Sequence, residues 1–279
     1  MPELPEVEIV SKHLMELLKN DEIIELDIRF EKLLKNIDSN SLQNKLFPFY
    51  FSNIVRKGKY IVFEDDLNNK WLTIHLGMTG AFFVVDNPNN IPSKYINHQH
   101  LLFKLKSNRL LIYCDIRKFG DIRYFDVNPY QVYEPFIKMG TDPLLIDQSD
   151  GFVTKLSSKL FSKKEIKPSI LDSRLIAGVG NIYACEALFR TGIHPKKLCG
   201  ELTSKESDSL FQEIRSIFIL SIENGGSSIS DYVNIEGKKG KFQNFHKVYQ
   251  KNVCSNCESM IAKIDQNKRS TFFCSTCQH

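Results

Sequence analysis

The sequence predicts an α+β multidomain protein, and three observations predict it. An apolar-periodic run opens the chain, with Val7, Val10, Leu14, Leu17 and Leu18 at helical spacing. Short β-like runs broken by polar turns follow, in the rhythm of an antiparallel sandwich or barrel. Helical periods take over around Pro135 to Pro143, and the chain closes on two Cys-x-x-Cys pairs. These textures divide the 279 residues into 1–136, 137–244 and 245–279, a length that accommodates two domains with cores of their own.

The first element is the terminus, Met1-Pro2-Glu3-Leu4-Pro5-Glu6. An initiator Met before a small residue is usually removed, which would leave the secondary amine of Pro2 first, with the Glu3 carboxylate beside it. An α-amino group titrates near pH 8, so roughly a tenth of it is free base at neutral pH. Such an amine can attack an aldehyde carbon and form an iminium, the Schiff-base mode of nucleophilic catalysis. The plainer reading is a helix cap, because Pro5 suits a first turn where its missing N–H needs no partner.

The β-like runs lie near 23–30, 60–63, 71–75, 81–85, 101–105, 109–115 and 122–125, with a plain loop at 86–92. Helical periods cover 150–161, 167–172, 182–191 and 204–223. The Gly-, Ser- and Lys-rich stretch 224–244 is expected to be a mobile loop of the kind that closes over a ligand.

Apolar content of 42% and charged content of 25% are those of an ordinary soluble protein. No apolar run approaches the roughly 20 residues of a membrane span, and the start lacks the build of a signal peptide, so the chain is read as intracellular. Net charge is only +4, but from Lys241 to His279 six Lys/Arg face two Asp/Glu. Of seven Cys, four sit in the closing pairs, which in an intracellular protein means metal before disulfide. Cys114, Cys185 and Cys199 are read as packing residues.

Cys254-x-x-Cys257 and Cys274-x-x-Cys277 are spaced as a four-thiolate zinc ribbon, which leaves no position open for water and makes the Zn2+ structural. Lys268-Arg269-Ser270 falls near the turn between its halves. Gly178-Val179-Gly180-Asn181 precedes a helical run, where glycines let backbone N–H groups approach a phosphate. It is no dinucleotide fingerprint, and after Lys167-Pro168 it reads as a helix–turn–helix element gripping a nucleic-acid backbone. Arg56-Lys57-Gly58-Lys59-Tyr60 is read as the cationic opening of a strand. His75-Leu76-Gly77-Met78 and Asp115-Ile116-Arg117-Lys118-Phe119-Gly120 each set a large side chain beside cations or His and a turn glycine. Apolar wedges beside cations are how proteins unstack a base step, at a cost of about a few kcal/mol.

Together these pieces make the chain resemble the bacterial formamidopyrimidine-DNA glycosylase family, base-excision enzymes that remove oxidised purines. The likeness runs from Met1-Pro2-Glu3-Leu4-Pro5-Glu6-Val7-Glu8, through the His75, Arg117 and Gly180 motifs, to Arg269-Ser270-Thr271-Phe272-Phe273-Cys274. Leu4 points to this branch and away from the sister endonuclease VIII branch, which typically has Gly there. The resemblance implies an N-terminal helix plus β-sandwich, a helix-two-turn-helix domain and a zinc finger. It implies a monomer, cytoplasmic and nucleoid-associated, acting on double-stranded DNA that contains oxidised purines, and needing one structural Zn2+.

Carried over by the motifs, the resemblance makes Pro2 the nucleophile on C1′ and Glu3 the general acid/base. Lys59 takes part in elimination and phosphate contact, and Arg269 in the second elimination. Met78, Arg117 and Phe119 fill the gap left by the extruded base, while His75 and Asn181 are phosphate ligands and His98 a further DNA contact. The family's basic run before Lys167 is shortened here to Phe161-Ser162-Lys163-Lys164-Glu165, so Lys163 is the contact expected there. The lesion-capping loop corresponds to about 225–240. Two other readings remain, the pyrimidine-preferring sister activity and a non-catalytic zinc-ribbon protein that binds bent or damaged DNA.

Overall fold

The computed structural model describes residues 2–227 and 237–279. The chain forms two compact units, one of Met1–Ile137 with Asn224–Lys241, the other of Lys138–Glu223 with Phe242–His279.

In the first unit, α1 (Leu4–Leu18) starts from a capping box, in which the Glu3 N–H donates to Glu6 Oε2 at 2.8 Å. Val7, Val10, Leu14 and Leu18 are buried as the period predicts, whereas Leu17 is 41% exposed. Neighbouring helical residues point about 100° apart, so Leu17 and Leu18 cannot share one stripe. The chain continues through β1 (Glu22–Ile28), α2 (Ser39–Leu46), β2 (Phe49–Tyr50), β3 (Asn53–Lys57), β4 (Tyr60–Asp65) and β5 (Lys70–His75). Then come β6 (Gly80–Val85), β7 (Gln99–Leu105), β8 (Leu110–Asp115), β9 (Asp121–Phe125) and two short helices, α3 (Pro129–Val132) and α4 (Glu134–Ile137).

The strands make two separate sheets, ordered β2-β1-β7-β8-β6 and β3-β4-β5-β9, so the architecture is a sandwich and not a closed barrel. The α1 stripe joins inner-face residues of both sheets in one core, where Phe63 of β4 meets Phe82 of β6 at 5.6 Å between ring centroids. Strands β7 and β8 are buried almost throughout, because Ile91 and Tyr95 of the connection from β6 to β7 pack on Phe83, Leu102, Ile112 and Cys114. The segment read as the opening of one strand is instead the end of β3, a turn at Gly58 and Lys59, and the start of β4, with Lys57 paired to Tyr60. Gly58 supplies the positive φ of 59° that this tight turn needs.

The second unit holds α5 (Asp150–Leu156), α6 (Ile166–Ile170), α7 (Asn181–Arg190), α8 (Ser204–Glu223), β10 (Ala262–Gln266) and β11 (Arg269–Phe273). Helix α5 stops short of residue 161, and Ser158 Oγ donates to the Lys155 carbonyl at 2.6 Å just past its end. Tyr183 of α7 packs on Phe218 of α8 and on Phe242, at 5.1 and 5.5 Å between ring centroids. Glu186, fully buried on α7, accepts the backbone N–H groups of Lys247, Val248 and Tyr249 at 2.8, 3.0 and 2.8 Å. Cys114, Cys185 and Cys199 are buried, in keeping with packing roles. Among the described residues no helix is long and apolar enough to cross a membrane.

Candidate functional site

The chain start does not fray: Pro2 and Glu3 are both buried at the head of α1. Glu6 is what ties this start down. Its Oε2 accepts from Glu3 N and its Oε1 from Ser227 N, each at 2.8 Å. Ser227 lies on the first stem of the Gly-rich stretch, whose two stems meet where Lys241 N donates to Asn224 O at 2.8 Å. A Cβ on Gly240 would lie 2.0 Å from the Gly226 carbonyl oxygen, so only glycine permits that approach. Most of the expected capping loop, 228–236, lies outside the described residues.

Lys59 sits half-buried in the β3–β4 turn, and its neighbour Tyr60 pairs with His75 across β4 and β5, the rings 5.0 Å apart. Burial, and then the Lys59 charge, push the His75 imidazole down to about 4, against the opposing pull of Asp121. Gly77 N donates to His75 Nδ1 at 3.1 Å, which leaves the ring proton on Nε2. His75 is therefore a neutral donor at physiological pH.

Met78, half-buried, rides on the turn between β5 and β6, and the loop from β8 to β9 carries Arg117 and Phe119. Phe119 is 56% exposed, with the Arg117 guanidinium 4.8 Å from its ring centre. Lys118 adopts φ 58° and sets its ammonium 4.5 Å from the Phe30 ring centre. The two loops touch directly, since a Cβ on Gly77 would fall 2.7 Å from the Phe119 carbonyl carbon. His98 closes a short 3-10 helix, Ser93–His98, and is half-buried.

In the second unit, Asn181 opens α7 with Gly180 as its N-cap. Its Nδ2 donates to the Ser270 carbonyl at 2.8 Å, and its Oδ1 accepts from Lys167 Nζ at 2.6 Å. Lys167, which follows the basic run, is fully buried and holds Asn181, while Lys163 within it is exposed. Arg269 is exposed at the first position of β11, beyond a two-residue turn in which Asn267 and Lys268 have φ of 49° and 61°. The four sulfurs of Cys254, Cys257, Cys274 and Cys277 lie within 4.8 Å of one another and could hold a metal ion.

The motifs thus come together within each unit: Lys59 with His75, Met78 with Arg117 and Phe119, Asn181 with the strand that begins at Arg269. Sequence reasoning passed over Glu6, Lys167 and Glu186, which hold the others in place. The signal was present in Glu186, an acid inside the apolar run Tyr183-Ala184-Cys185-Glu186-Ala187-Leu188-Phe189.

Known proteins match this chain along its length. The model of the formamidopyrimidine-DNA glycosylase N-terminal domain matches residues 1–122, and that of the same family's H2TH domain matches residues 139–233. The formamidopyrimidine-DNA glycosylase of Rickettsia felis is 39% identical, covering 100% of this chain and 99% of its own. That of Streptococcus pneumoniae is 35% identical over the same shares. Two solved structures of Lactococcus lactis Fpg, one with DNA containing an abasic site and one with DNA containing an oxidised pyrimidine, superpose with TM-scores of 0.87 and 0.86, at 33% identity and 99% coverage of both chains. A variant of that protein in complex with Fapy-dG-containing DNA superposes at a TM-score of 0.87, with 34% identity and 99% coverage of both chains. Matched from end to end and in both family domains, the chain belongs to the formamidopyrimidine-DNA glycosylase family.

Proposed function

We propose that this chain is a bifunctional DNA glycosylase and AP lyase that excises oxidised purines (8-oxoguanine and formamidopyrimidines) from duplex DNA in base excision repair. The observation that carries the reading is the buried Pro2-Glu3 start, held by Glu6 both to its own helix and to Ser227. A nucleophile must be kept at a fixed place to act, and few chain termini are.

The Pro2 amine, freed by removal of Met1, attacks C1′ of the damaged nucleoside as the base leaves. Glu3 shuttles the proton for glycosidic cleavage and sugar-ring opening. The resulting iminium makes the C2′ proton acidic, so the 3′-phosphate is eliminated first and the 5′-phosphate next. Lys59 serves elimination and phosphate contact, and Arg269 the second elimination. Before any of this the base must leave the stack, at a cost of a few kcal/mol. Met78, Arg117 and Phe119 fill the space it vacates, and the exposure of Phe119 suits that task.

His75 and Asn181 bind phosphates, with His98 and Lys163 as further DNA contacts. His75 acts here as a neutral Nε2–H donor, so its contact should be insensitive to pH across the physiological range. Cys254, Cys257, Cys274 and Cys277 would hold one structural Zn2+. A tetrahedral zinc with bonds of about 2.3 Å sets its sulfurs about 3.8 Å apart, and the Cys254–Cys277 and Cys257–Cys274 separations of 3.8 and 3.5 Å fit that ion. Bound there, it supplies folding free energy. The working division is 1–136 for catalysis, 137–244 for DNA binding and 245–279 as the zinc finger, in a monomeric, cytoplasmic, nucleoid-associated protein.

Borohydride should trap the chain covalently on duplex DNA containing oxidised guanine. The Pro2→Leu variant, whose bulky second residue retains Met1, should give no adduct; an adduct at the parent level would refute the assignment of the nucleophile. The oxidised-pyrimidine complex of the Lactococcus lactis protein keeps a second reading in play, preference for oxidised pyrimidines. Competition between oxidised-guanine and thymine-glycol duplexes decides between them.

A further inference from the structure

Asp115 ends β8 fully buried, and none of the roles above uses it. Its Oδ1 accepts from the Thr79 hydroxyl at 2.5 Å and from Arg117 N at 3.2 Å, and its Oδ2 accepts from Gly120 N at 2.8 Å. Thr79 Oγ1 in turn accepts from Arg117 N at 2.8 Å. Thr79 follows Met78 directly, and Arg117 and Gly120 bracket Phe119. One carboxylate therefore holds the root of both loops whose tips carry the large side chains.

The surroundings point the same way. Gly77 and Phe119 meet backbone to backbone, and Cβ atoms on Gly80 and Gly120 would lie 2.6 and 2.1 Å from the same Tyr113 hydroxyl. Both loops thus rest on one buried ring. A carboxylate taken out of water is costly unless its lone pairs are satisfied, and the bonds that Thr79, Arg117 and Gly120 give this one come from the two loops. Charge-assisted bonds of this kind are about twice as strong as neutral ones.

We propose that Asp115, acting with the Thr79 hydroxyl, is a positioning residue that locks the Met78 turn and the Arg117–Phe119 loop into one rigid wedge. The proposal rests on the glycosylase reading above, in which those side chains enter the base stack. A wedge that must resist re-stacking works only if its base does not yield. Eversion of the damaged base should depend on this clamp far more than the chemistry at the sugar does.

The test compares the parent chain with Asp115→Asn, Thr79→Val and Thr79→Ser on two duplexes. One carries oxidised guanine with a neighbouring 2-aminopurine, whose fluorescence reports unstacking; the other carries a preformed abasic site, with no base to evict. Asp115→Asn replaces one acceptor oxygen by an N–H2 group, so either the bond from Gly120 or the pair from Thr79 and Arg117 loses its acceptor. It and Thr79→Val should slow the fluorescence rise and base release about tenfold or more, while abasic-site cleavage changes less than about threefold. Thr79→Ser, which keeps the hydroxyl, should restore parent behaviour.

Equal losses on both duplexes would mean a general structural role and overturn the proposal, as would no loss on either. If Asp115→Asn does not fold, the Thr79 pair decides alone. A parent chain that cleaves neither duplex and forms no borohydride adduct would refute the glycosylase reading itself, and the wedge with it.

Discussion

Arg56 has a side chain only 2% exposed, and its Nε meets Glu8 Oε2 at 2.6 Å, joining β3 to α1. Burial alone would raise the Glu8 carboxyl, but the hydrogen bond and charge of Arg56, aided by Lys12, outweigh it and hold the group below its ordinary 4.5. The native state thus gives up this proton more readily than the unfolded chain does. The stabilisation is present above about pH 4.5 and disappears as pH falls through the lower native value. Removing one partner of a buried pair strands the other's charge, so Glu8→Gln should cost about 2–4 kcal/mol in urea unfolding at pH 7. A loss under about 0.5 kcal/mol, the usual worth of an exposed pair such as Lys45–Asp126, would contradict this. Glu8 itself was legible in the opening motif. Its partner was not, because a pairing across 48 residues leaves no local pattern to read.

Among the elements, α8 matches its predicted bounds, since a polar–apolar period over 20 residues has a clear beginning and end. Helix α7 was equally plain from the glycines before it. Strands β2 and β3 went unread: β2 has only two residues, and β3 ends in Arg56 and Lys57, charges that read as the opening of the strand after it. The β10–β11 hairpin was masked by its polarity and by the cysteines that flank it. The site shows the same split. Side chains whose chemistry a motif advertises could be picked out, whereas Asp115 and Lys167, though inside quoted motifs, and Glu186 hold backbone or side-chain atoms whose positions only folding decides. Glu186 shows what such a residue does for an element, since it anchors residues 247–249 against α7. Glu186→Gln exchanges an acceptor oxygen for an amide and should cost about 2–3 kcal/mol, because it leaves a buried donor unmatched. Hydrogen exchange at the Lys247, Val248 and Tyr249 amides should quicken; unchanged protection there would show that the carboxylate is dispensable.

At the scale of the whole molecule, each unit holds a histidine that burial pushes far below its ordinary value. His75 is pushed down to about 4 by burial and then by Lys59, and His246 likewise to about 4 by burial and then by Lys251 and Arg190. Both native values lie below the ordinary 6.5, so the unfolded chain binds these protons first. Stability from this source is complete above pH 6.5, falls as pH drops toward 4, and changes no further below that. The slope is at most about 1.4 kcal/mol per pH unit for each group. Tm should therefore fall between pH 7 and 5, and His246→Phe should flatten the decline; an unaltered slope would rule out His246 as a contributor. One more property follows from the bond between Glu6 and Ser227, which spans 221 positions. Residues 2–6 leave the ribosome early, yet Ser227, which anchors them, is among the later segments synthesised. A prematurely terminated product that stops before 224 carries the Pro2 amine without this tether, so the proposed chemistry at that amine gains its support only late in translation.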